Sequence, residues 1–214
     1  METSRPEHAV VLASASPRRH RLLAEAGVRF EIEPADVDEF IDVSLAAADV
    51  AEELARRKAL EVARRRREAG PAVPLSIIGS DTIVVLGLDG AEDRRFLEKA
   101  ADAAEARDML EALSGTRHRV ITGVAVARIV PGEIEADVVV GHETTFVTMR
   151  RLSPDEIDAY VASGEWEGKA GSYAIQENAD RFVSVLEGGG FDNVVGLPVA
   201  LTLDLLERAS RGAD

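Results

Sequence analysis

The 214-residue sequence contains no cysteine, which excludes disulfides, thiol nucleophiles and cysteine-ligated metal sites. It also contains no apolar run close to the about 18 residues that a membrane-spanning helix needs. Residues 1–9 carry charged side chains before any apolar stretch, unlike a secretory signal peptide. From these absences we expect a cytoplasmic protein that has no membrane partner.

Positive charge is scarce as well. The 25 Lys and Arg residues are outnumbered by 39 Asp and Glu residues, which gives a net charge of −14. Such a surface repels a phosphate backbone, so we expect no nucleic-acid partner. A small anionic ligand is compatible with this charge only where cations are concentrated locally. Hydrophobic residues at 46% and charged residues at 30% are typical of an ordinary globular protein that buries a core.

The chain shows alternating strand and helix patterns. Their order is βαβ, α, β, α, a hairpin, α, β and α, which predicts a mixed α/β sheet. Residues 1–7 and 209–214 are expected to fray. The predicted strands cover residues 8–14, 28–33, 75–86, 119–130, 134–149 and 181–186, and the predicted helices cover residues 17–26, 46–69, 101–113, 154–164 and 198–208.

A strand-to-helix junction at residues 14–19 is the first candidate binding site. Ser16 followed by Pro17 is a typical helix start. A helix N-terminus offers unpaired N–H groups and the positive end of the dipole, to which a phosphate binds. Arg18 and Arg19 add fixed charge and paired donors. A capped helix with two solvated arginines explains the same residues equally well, because the glycines of a P-loop are absent.

The second candidate lies at residues 79–82, where Gly-Ser-Asp-Thr interrupts an otherwise apolar strand pattern. A carboxylate is costly to bury there unless it meets a metal or a polar partner. We predict a break in the strand that places Asp81 in a cleft as a functional residue. The alternative is a β-bulge in which Asp81 caps a turn.

Three other segments carry polar groups at unusual places. The acidic run at residues 36–39, which ends at Glu39, offers oxygen ligands for Mg²⁺ or Mn²⁺, although a solvated acidic loop is the simpler interpretation. Lys58 lies on the apolar side of its predicted helix, where it either has a partner or extends its ammonium to solvent. The arginines at 64–67 are interpreted as a solvated helix end.

Residues 169–176 and 193–198 are rich in glycine, small residues and amides. Such loops let a ligand approach the backbone closely. Gln176 has the donor and the acceptor that are needed to recognise an amide or a carbonyl pattern. From local spacing alone, these segments indicate only a loop. The four histidines have no metal-ligand spacing and are interpreted as structural or surface residues.

Taken together, these segments resemble the Maf family of septum-formation-inhibitor-like nucleotide pyrophosphatases. The resemblance extends over nearly the whole chain, and the pieces occur in the family's order. They are LASASPRR at 12–19, the acidic pair ending at Glu39, LARRKA around Lys58, IIGSDTIV at 77–84, LEK at 97–99, KAGSYAIQ at 169–176 and NVVGLP at 193–198.

The resemblance implies an elongated mixed sheet flanked by helices, as in the inosine triphosphate pyrophosphatases. We expect a single domain over residues 1–214 that folds as two lobes around a central cleft. The resemblance also implies hydrolysis of a nucleoside triphosphate to the monophosphate and pyrophosphate, a divalent metal such as Mg²⁺ or Mn²⁺, and a homodimer.

Within the family, one subgroup is the more similar. It carries the equivalents of Arg18, Thr82 and Gln176 and is associated with dTTP and UTP, whereas a sister group associated with 7-methyl-GTP has an aromatic residue in place of Arg18. Two departures from the family pattern affect this interpretation. Ala100 replaces a proline and weakens the expected hold on Lys99, and Glu177 replaces a glycine beside the expected base pocket.

The resemblance also implies roles for individual residues. Asp81 is expected to be the proton acceptor, and Thr82 and Gln176 are expected to bind the base. Glu39 and Asp81 are the expected metal ligands. The residues expected to bind the phosphates are Ser14, Ser16, Arg18, Arg19, Lys58 and Lys99.

Other functions are compatible with the same sequence. The first is a nucleotide-sensing regulator of septum formation that does not hydrolyse its ligand. The second is a pyrophosphatase for modified purine nucleotides, and the third is a phosphatase that removes one phosphate at a time. The complete set of Asp81, Glu39, Lys58 and Lys99 favours an enzyme, because a sensor needs no carboxylate that activates water.

Overall fold

The computed structural model describes residues 9–40, 42–91, 94–176 and 178–211. The expectations for residues 1–8, 212–214 and Glu177 lie outside this part of the chain. The strands are β1 (Ala9–Leu12), β2 (Glu31–Ile32), β3 (Leu75–Leu86), β4 (Arg95–Leu97), β5 (Arg117–Ile129), β6 (Asp137–Met149) and β7 (Val183–Gly188). The helices are α1 (Pro17–Glu25), α2 (Ala47–Glu68), α3 (Ala103–Leu113), α4 (Pro154–Ser163), α5 (Phe191–Val195) and α6 (Val199–Arg211), with a 3₁₀ helix at Asn178–Phe182.

The strands form one mixed seven-stranded sheet in the order β2-β1-β3-β5-β6-β7, and β4 also pairs with β3. The three long strands β3, β5 and β6 are antiparallel, whereas β1 is parallel to both β2 and β3. The predicted mixed α/β sheet flanked by helices is confirmed. None of the helices in the described ranges combines the length and the apolar run that crossing a bilayer demands.

Strand β3 has one edge that is left open in its middle. Its other edge is paired with β5 from Leu75 to Val85 without a register shift. On the open side, β1 pairs with residues 75–78 and β4 pairs with residues 84–86. Residues 79–83 therefore lie between the two short strands, where β3 exposes its backbone edge to a cleft.

This arrangement corrects both interpretations of residues 79–82. The strand is neither broken nor bulged there, because each residue from 79 to 82 keeps its partner on β5. The cleft forms because the neighbouring strand ends, and β3 itself continues. Asp81 is placed in the cleft as expected, for a different reason.

Helix α2 crosses directly over the middle of β3 and β5, at two glycines. A Cβ atom at Gly79 would lie 2.2 Å from the carbonyl oxygen of Ala55, and one at Gly123 would lie 2.1 Å from that of Ala51. A side chain at either position would push the helix away from the sheet. The two glycines therefore set how closely Lys58, on α2, approaches the strand that carries Asp81.

Capping residues in the sequence correctly predict where helices α1 and α4 begin. Ser16 accepts a bond from the backbone of Arg19, Pro17 is the first residue of α1, and Ser153 with Glu156 forms a complete capping box at α4. The fraying expected for residues 209–214 is corrected for 209–211. Helix α6 extends to Arg211, and Ala209 is buried with the apolar face that packs under the sheet.

Four apolar clusters pack against the sheet. Two of them lie between the sheet and α2, and a third joins α1 and α6 to the opposite face. The fourth surrounds α3 and α4, beyond the cleft, and includes Trp166. Strand 28–33 was predicted too long, since only Glu31 and Ile32 pair with β1.

Candidate active site

The cleft has a volume of about 690 Å³ and lies along the open edge of β3. Its described lining includes the β1–α1 turn on one side and the loop of residues 167–176 on the other. In a chain of net charge −14, this lining carries more cations than carboxylates. The six cations are Arg18, Arg19, Arg21, Lys58, Lys99 and Lys169, and the three carboxylates are Glu39, Asp81 and Glu167.

The pleat of β3 separates two kinds of chemistry in this cleft. Asp81 points towards α2, on the same side as Gly79 and Ile83. Its neighbour Thr82 points to the opposite face, where it meets Arg19 and the turn before α6. We call the first side the charged face of β3 and the second the neutral face.

On the charged face, one lysine joins two carboxylates. The ammonium of Lys58 donates to Asp81 Oδ1 at 2.5 Å and to Glu39 Oε1 at 2.6 Å, and Lys99 donates to the other oxygen of Glu39 at 2.7 Å. The Lys58 side chain is 11% exposed and that of Asp81 is 12% exposed. Lys58 therefore does not extend to solvent; it lies at the centre of a charged network.

Glu39 is held ionised by these two ammonium groups. Partial burial raises its pKa, but the hydrogen bonds and charges of Lys58 and Lys99 outweigh this effect and lower the pKa to about 2. Glu39 is half-exposed at the mouth of the cleft, whereas Asp81 is buried at its floor. The two carboxylates thus face one another across Lys58.

The β1–α1 turn is held together by its own side chains. Ser14 Oγ accepts the backbone N–H of Ser16 at 3.2 Å, and Ser16 Oγ accepts that of Arg19 at 3.5 Å. His20 packs beneath the turn and bonds the carbonyl of Ser14 at 2.7 Å. Two of the N–H groups expected to face a phosphate are therefore already occupied, while Ser14, Ser16 and Arg18 do line the cleft.

Arg19 differs from its neighbour Arg18 in that all three of its side-chain nitrogens donate to protein oxygens. The acceptors are the carbonyl of Gly196 at 2.8 Å, Thr82 Oγ1 at 3.1 Å and Ser14 Oγ at 3.4 Å. Burial lowers the pKa of Arg19, and the charge of Asp81 opposes that effect. The guanidinium therefore connects β3 to the turns that precede α1 and α6.

The neutral face continues below Thr82 as a chain of hydrogen bonds. Thr82 Oγ1 lies 3.0 Å from Thr122 Oγ1, which donates to the carbonyl of Asn193 at 2.8 Å. The side chain of Asn193 donates in turn to Thr145 and to the carbonyl of Val120. Thr122 and Asn193 are both fully buried.

The structure brings the predicted site residues together and adds others. All ten predicted positions line the cleft, and Gln176 is an exposed residue at its rim. Sequence reasoning missed Thr122. A signal for it existed: Thr122-Gly123 interrupts an apolar strand pattern as Gly79-Ser80-Asp81-Thr82 does, and the two interruptions pair in register.

The interpretation of the arginines at 64–67 is corrected, whereas that of the described histidines stands. The arginines at 64–67 are not merely solvated, because Arg65 and Arg66 pair with Glu33 and so hold the segment that leads to Glu39. The described histidines are structural or surface residues, as expected. His118 is buried and bonds the hydroxyl of Tyr173 at 2.8 Å, which anchors the loop that ends at Gln176.

The described residues contain no group of three or more histidine or acidic side chains placed to hold a metal. Of the three carboxylates that line the cleft, Glu39 and Asp81 are the two that meet at Lys58, where their oxygens could hold an ion. This donor set fits Mg²⁺ or Mn²⁺, because such ions are commonly held by one or two carboxylates while substrate phosphates and waters complete the coordination. It does not fit a site built from protein ligands alone.

Comparison with known proteins assigns the chain to a family. Residues 9–209 match the family described as Maf-like protein. A dTTP/UTP pyrophosphatase of Pelotomaculum thermopropionicum is 44% identical over 199 residues, which cover 93% of this chain and 95% of that protein. Proteins with the same name from Hyphomonas neptunium and Anaeromyxobacter dehalogenans are 44% and 45% identical, with 92% and 94% of this chain covered and 94% and 93% of theirs.

This chain therefore belongs to the Maf-like protein family. Among solved structures, a nucleoside-triphosphatase, also described as a dITP/XTP pyrophosphatase, from Mycobacterium abscessus matches with a TM-score of 0.33 and 18% identity, covering 67% of this chain and 74% of that one. A likeness at that level supports no argument about fold or activity. The family assignment depends on the sequence relatives and on the family match.

Proposed function

We propose that this protein hydrolyses dTTP and UTP to the nucleoside monophosphate and pyrophosphate. The observation that carries the proposal is the network of Asp81, Lys58, Glu39 and Lys99 at the open edge of β3, in a chain whose relatives bear the name dTTP/UTP pyrophosphatase. A buried carboxylate beside ammonium groups provides both a proton acceptor and phosphate-binding charge.

The cations of the cleft would bind the triphosphate. Arg18, Lys58 and Lys99 carry the charge that neutralises phosphate oxygens, which otherwise repel an attacking water. Ser14 and Ser16 add hydroxyls at the β1–α1 turn. Arg19 supports this site by holding the turn against β3, since its nitrogens are bonded within the protein.

Glu39 and Asp81 would hold the divalent cation. When bound, Mg²⁺ or Mn²⁺ would supply positive charge that neutralises the phosphates and favours attack by water. The residues of the chain prepare this site, because Glu39 stays ionised over the physiological pH range. Lys58 would have to move from the carboxylates towards the phosphates as the substrate enters.

Asp81 would accept a proton from the attacking water. The water oxygen forms a bond to the α-phosphorus while the bond from that phosphorus to the oxygen bridging to the β-phosphate breaks. The proton goes to Asp81, and the electron pair of the broken bond leaves on pyrophosphate, which Lys58 and Lys99 stabilise. Asp81 suits this role because Lys58 bonds only one of its two oxygens.

The base would lie on the neutral face of β3, with Thr82 and Gln176 at its polar edge. Val84 and Val120 line the cleft beside Thr82 and give the ring an apolar surface. This placement puts the base and the phosphates on opposite faces of one strand. It is supported by the pleat, which makes Asp81 and Thr82 point apart.

The proposal includes a two-lobed single domain, a cytoplasmic location and a homodimer, all of which are predictions from the sequence. The cleft between the apolar cluster around α3 and α4 and the clusters around α2 and α6 supports the two-lobed division. We also propose that neither nucleic acid nor a membrane is a partner, in keeping with the net charge.

The test is hydrolysis of a panel of nucleoside triphosphates with Mg²⁺ or Mn²⁺, in which pyrophosphate is resolved from orthophosphate. We expect pyrophosphate and monophosphate, formed fastest from dTTP or UTP, with Asp81→Asn as the matched inactive variant. Orthophosphate as the first product would instead identify a stepwise phosphatase. Faster turnover of a purine nucleotide would overturn the base assignment, and binding without hydrolysis would favour the regulator.

A further inference from the structure

The hydrogen bonds below the cleft fix the direction of one hydroxyl. Thr122 faces two groups: its own Oγ1–H donates to the backbone carbonyl of Asn193 at 2.8 Å, and Thr82 Oγ1 lies 3.0 Å away on the other side. The β3–β5 register places Thr82 and Thr122 directly opposite one another. Thr122 is fully buried, so no solvent molecule competes for its hydroxyl.

The proton count of these groups leaves a single arrangement. A carbonyl oxygen only accepts, so the one hydroxyl hydrogen of Thr122 is used on Asn193. Between the two threonines, the hydrogen must therefore come from Thr82. The hydroxyl of Thr82 is thus a donor towards Thr122 and has no hydrogen left for a ligand.

Arg19 also forms a hydrogen bond with the hydroxyl of Thr82. Its Nη2 donates to Thr82 Oγ1 at 3.1 Å, which occupies one of the two lone pairs of that oxygen. Thr82 lines the cleft, so the remaining lone pair is the part that a ligand can meet. Towards the cleft, Thr82 is a hydrogen-bond acceptor only.

The apolar surroundings place the edge of a base at this acceptor. Val84 and Val120 are directly opposite one another on the same face of the sheet as Thr82, one pleat further along, and both line the cleft. A planar ring on this surface brings its polar edge to Thr82. The charged groups Asp81 and Lys58, which suit phosphates, lie on the other face of the strand.

We propose that Thr122 is a positioning residue that selects uracil and thymine over cytosine, because it makes Thr82 accept the N3–H of the base. This inference rests on the proposed function and names how the site would read its substrate. Uracil and thymine carry a hydrogen on N3, whereas N3 of cytosine is itself an acceptor. With cytosine, N3 of the base and Thr82 Oγ1 would both be acceptors. They would repel one another, because Thr82 has no hydrogen to donate to the base.

The test compares the specificity for UTP and CTP in variants of Thr122. Thr122→Val removes the acceptor and frees the Thr82 hydrogen to turn to the cleft. We expect the ratio of kcat/KM for UTP to that for CTP to fall by at least about tenfold, mainly through better use of CTP. Thr122→Ser keeps the hydroxyl and should restore the ratio.

A matched control is available on α6. Thr202 is also fully buried and donates its hydroxyl to a backbone carbonyl, that of Pro198, but it lies outside the cleft. Thr202→Val should leave the UTP-to-CTP ratio unchanged. If Thr122→Val does not fold, Thr122→Ala removes the same hydroxyl without adding a methyl group.

The outcomes separate this inference from the proposed function. A folded Thr122→Val protein with the wild-type ratio overturns the inference, and so does a wild-type protein that uses CTP as well as UTP. If the wild type hydrolyses neither nucleotide, the proposed function fails. Binding of non-hydrolysable α,β-methylene analogues of UTP and CTP then tests the inference by the ratio of their Kd values.

Discussion

The two faces of β3 differ in the polar interactions that they form. On the charged face, Asp81 and Lys58 form an ion pair that lines the cleft. On the neutral face, Thr82 and Thr122 belong to a chain of hydrogen bonds in which each hydroxyl hydrogen donates to one fixed acceptor. Residues adjacent in sequence thus have opposite properties, because successive side chains of a strand point to opposite faces.

In the proposed function, this difference lets one strand serve two parts of a nucleotide. Phosphates need charge that can shift as bonds form and break, and an ammonium on a flexible stem provides it. A base needs donors and acceptors in fixed directions, and buried threonines against a backbone carbonyl provide them. Variants on one face should therefore change turnover, and variants on the other should change the choice of base.

The largest expected effect is on the charged face. Asp81→Asn should lower kcat for UTP by about 10²–10⁴-fold, because the amide does not accept the proton of the attacking water. Steady-state kinetics measures the loss, and circular dichroism checks that the fold is intact. Turnover close to the wild type in a folded Asp81→Asn protein would remove Asp81 from the mechanism.

His118, on β5, should make the stability of the protein depend on pH. Burial lowers the pKa of His118 to about 4, below its ordinary value of 6.5. As pH falls from 6.5 to 4, His118 becomes protonated in the unfolded chain but stays neutral in the folded protein. The free energy of unfolding therefore decreases. We expect the wild type to lose up to about 3 kcal/mol relative to His118→Asn over this range.

Denaturant unfolding at several pH values measures this loss. His142→Asn is the matched control, because His142 is exposed and bonds Glu52 at the surface. Parallel pH profiles for the wild type and His118→Asn would contradict the prediction.

Lys58 should affect substrate binding more than Lys99 does. Lys58→Ala removes a buried cation that faces two carboxylates, and we expect KM for UTP to rise about 10–100-fold. Lys99→Ala is the control, with a smaller increase expected because the Lys99 side chain is 54% exposed. Unchanged kinetic constants in Lys58→Ala would mean that the ion pair is only structural.

The smallest expected effect is at the rim of the cleft. Gln176→Ala should lower the ratio of UTP to GTP hydrolysis by about 2–10-fold, because an exposed amide contributes one modest hydrogen bond to the base. The dependence on metal concentration should not change, which serves as the internal control. If the ratio stays the same, the base lies elsewhere in the cleft.

The sequence predicted many of the site residues, but it did not predict which atoms they contact. The predicted residues do meet in one cleft. Arg18 and Arg19 looked equivalent in sequence, yet Arg19 is bonded on all three nitrogens within the protein. Their difference depends on Gly196, whose carbonyl meets Arg19 only after the chain has folded.

Strand β4 and helix α5 were not predicted at all. Each is short, with 3 and 5 residues, and neither has the periodicity of a longer element. Strand β4 forms by pairing with β3, and helix α5 packs against β5 and β6. The Gly196 that follows α5 has a φ of 120°, which a residue with a side chain rarely adopts.

The sequence by itself determined the helix starts at Ser16-Pro17 and Ser153-Pro154, the β5–β6 hairpin and the motif residues, because capping and turn formation act over a few neighbouring residues. Only the tertiary structure decided where β1 and β4 stop along β3, and hence where the cleft opens. It also decided the direction of the Thr82 hydroxyl. Both depend on pairing between strands far apart in the chain, which no local pattern encodes.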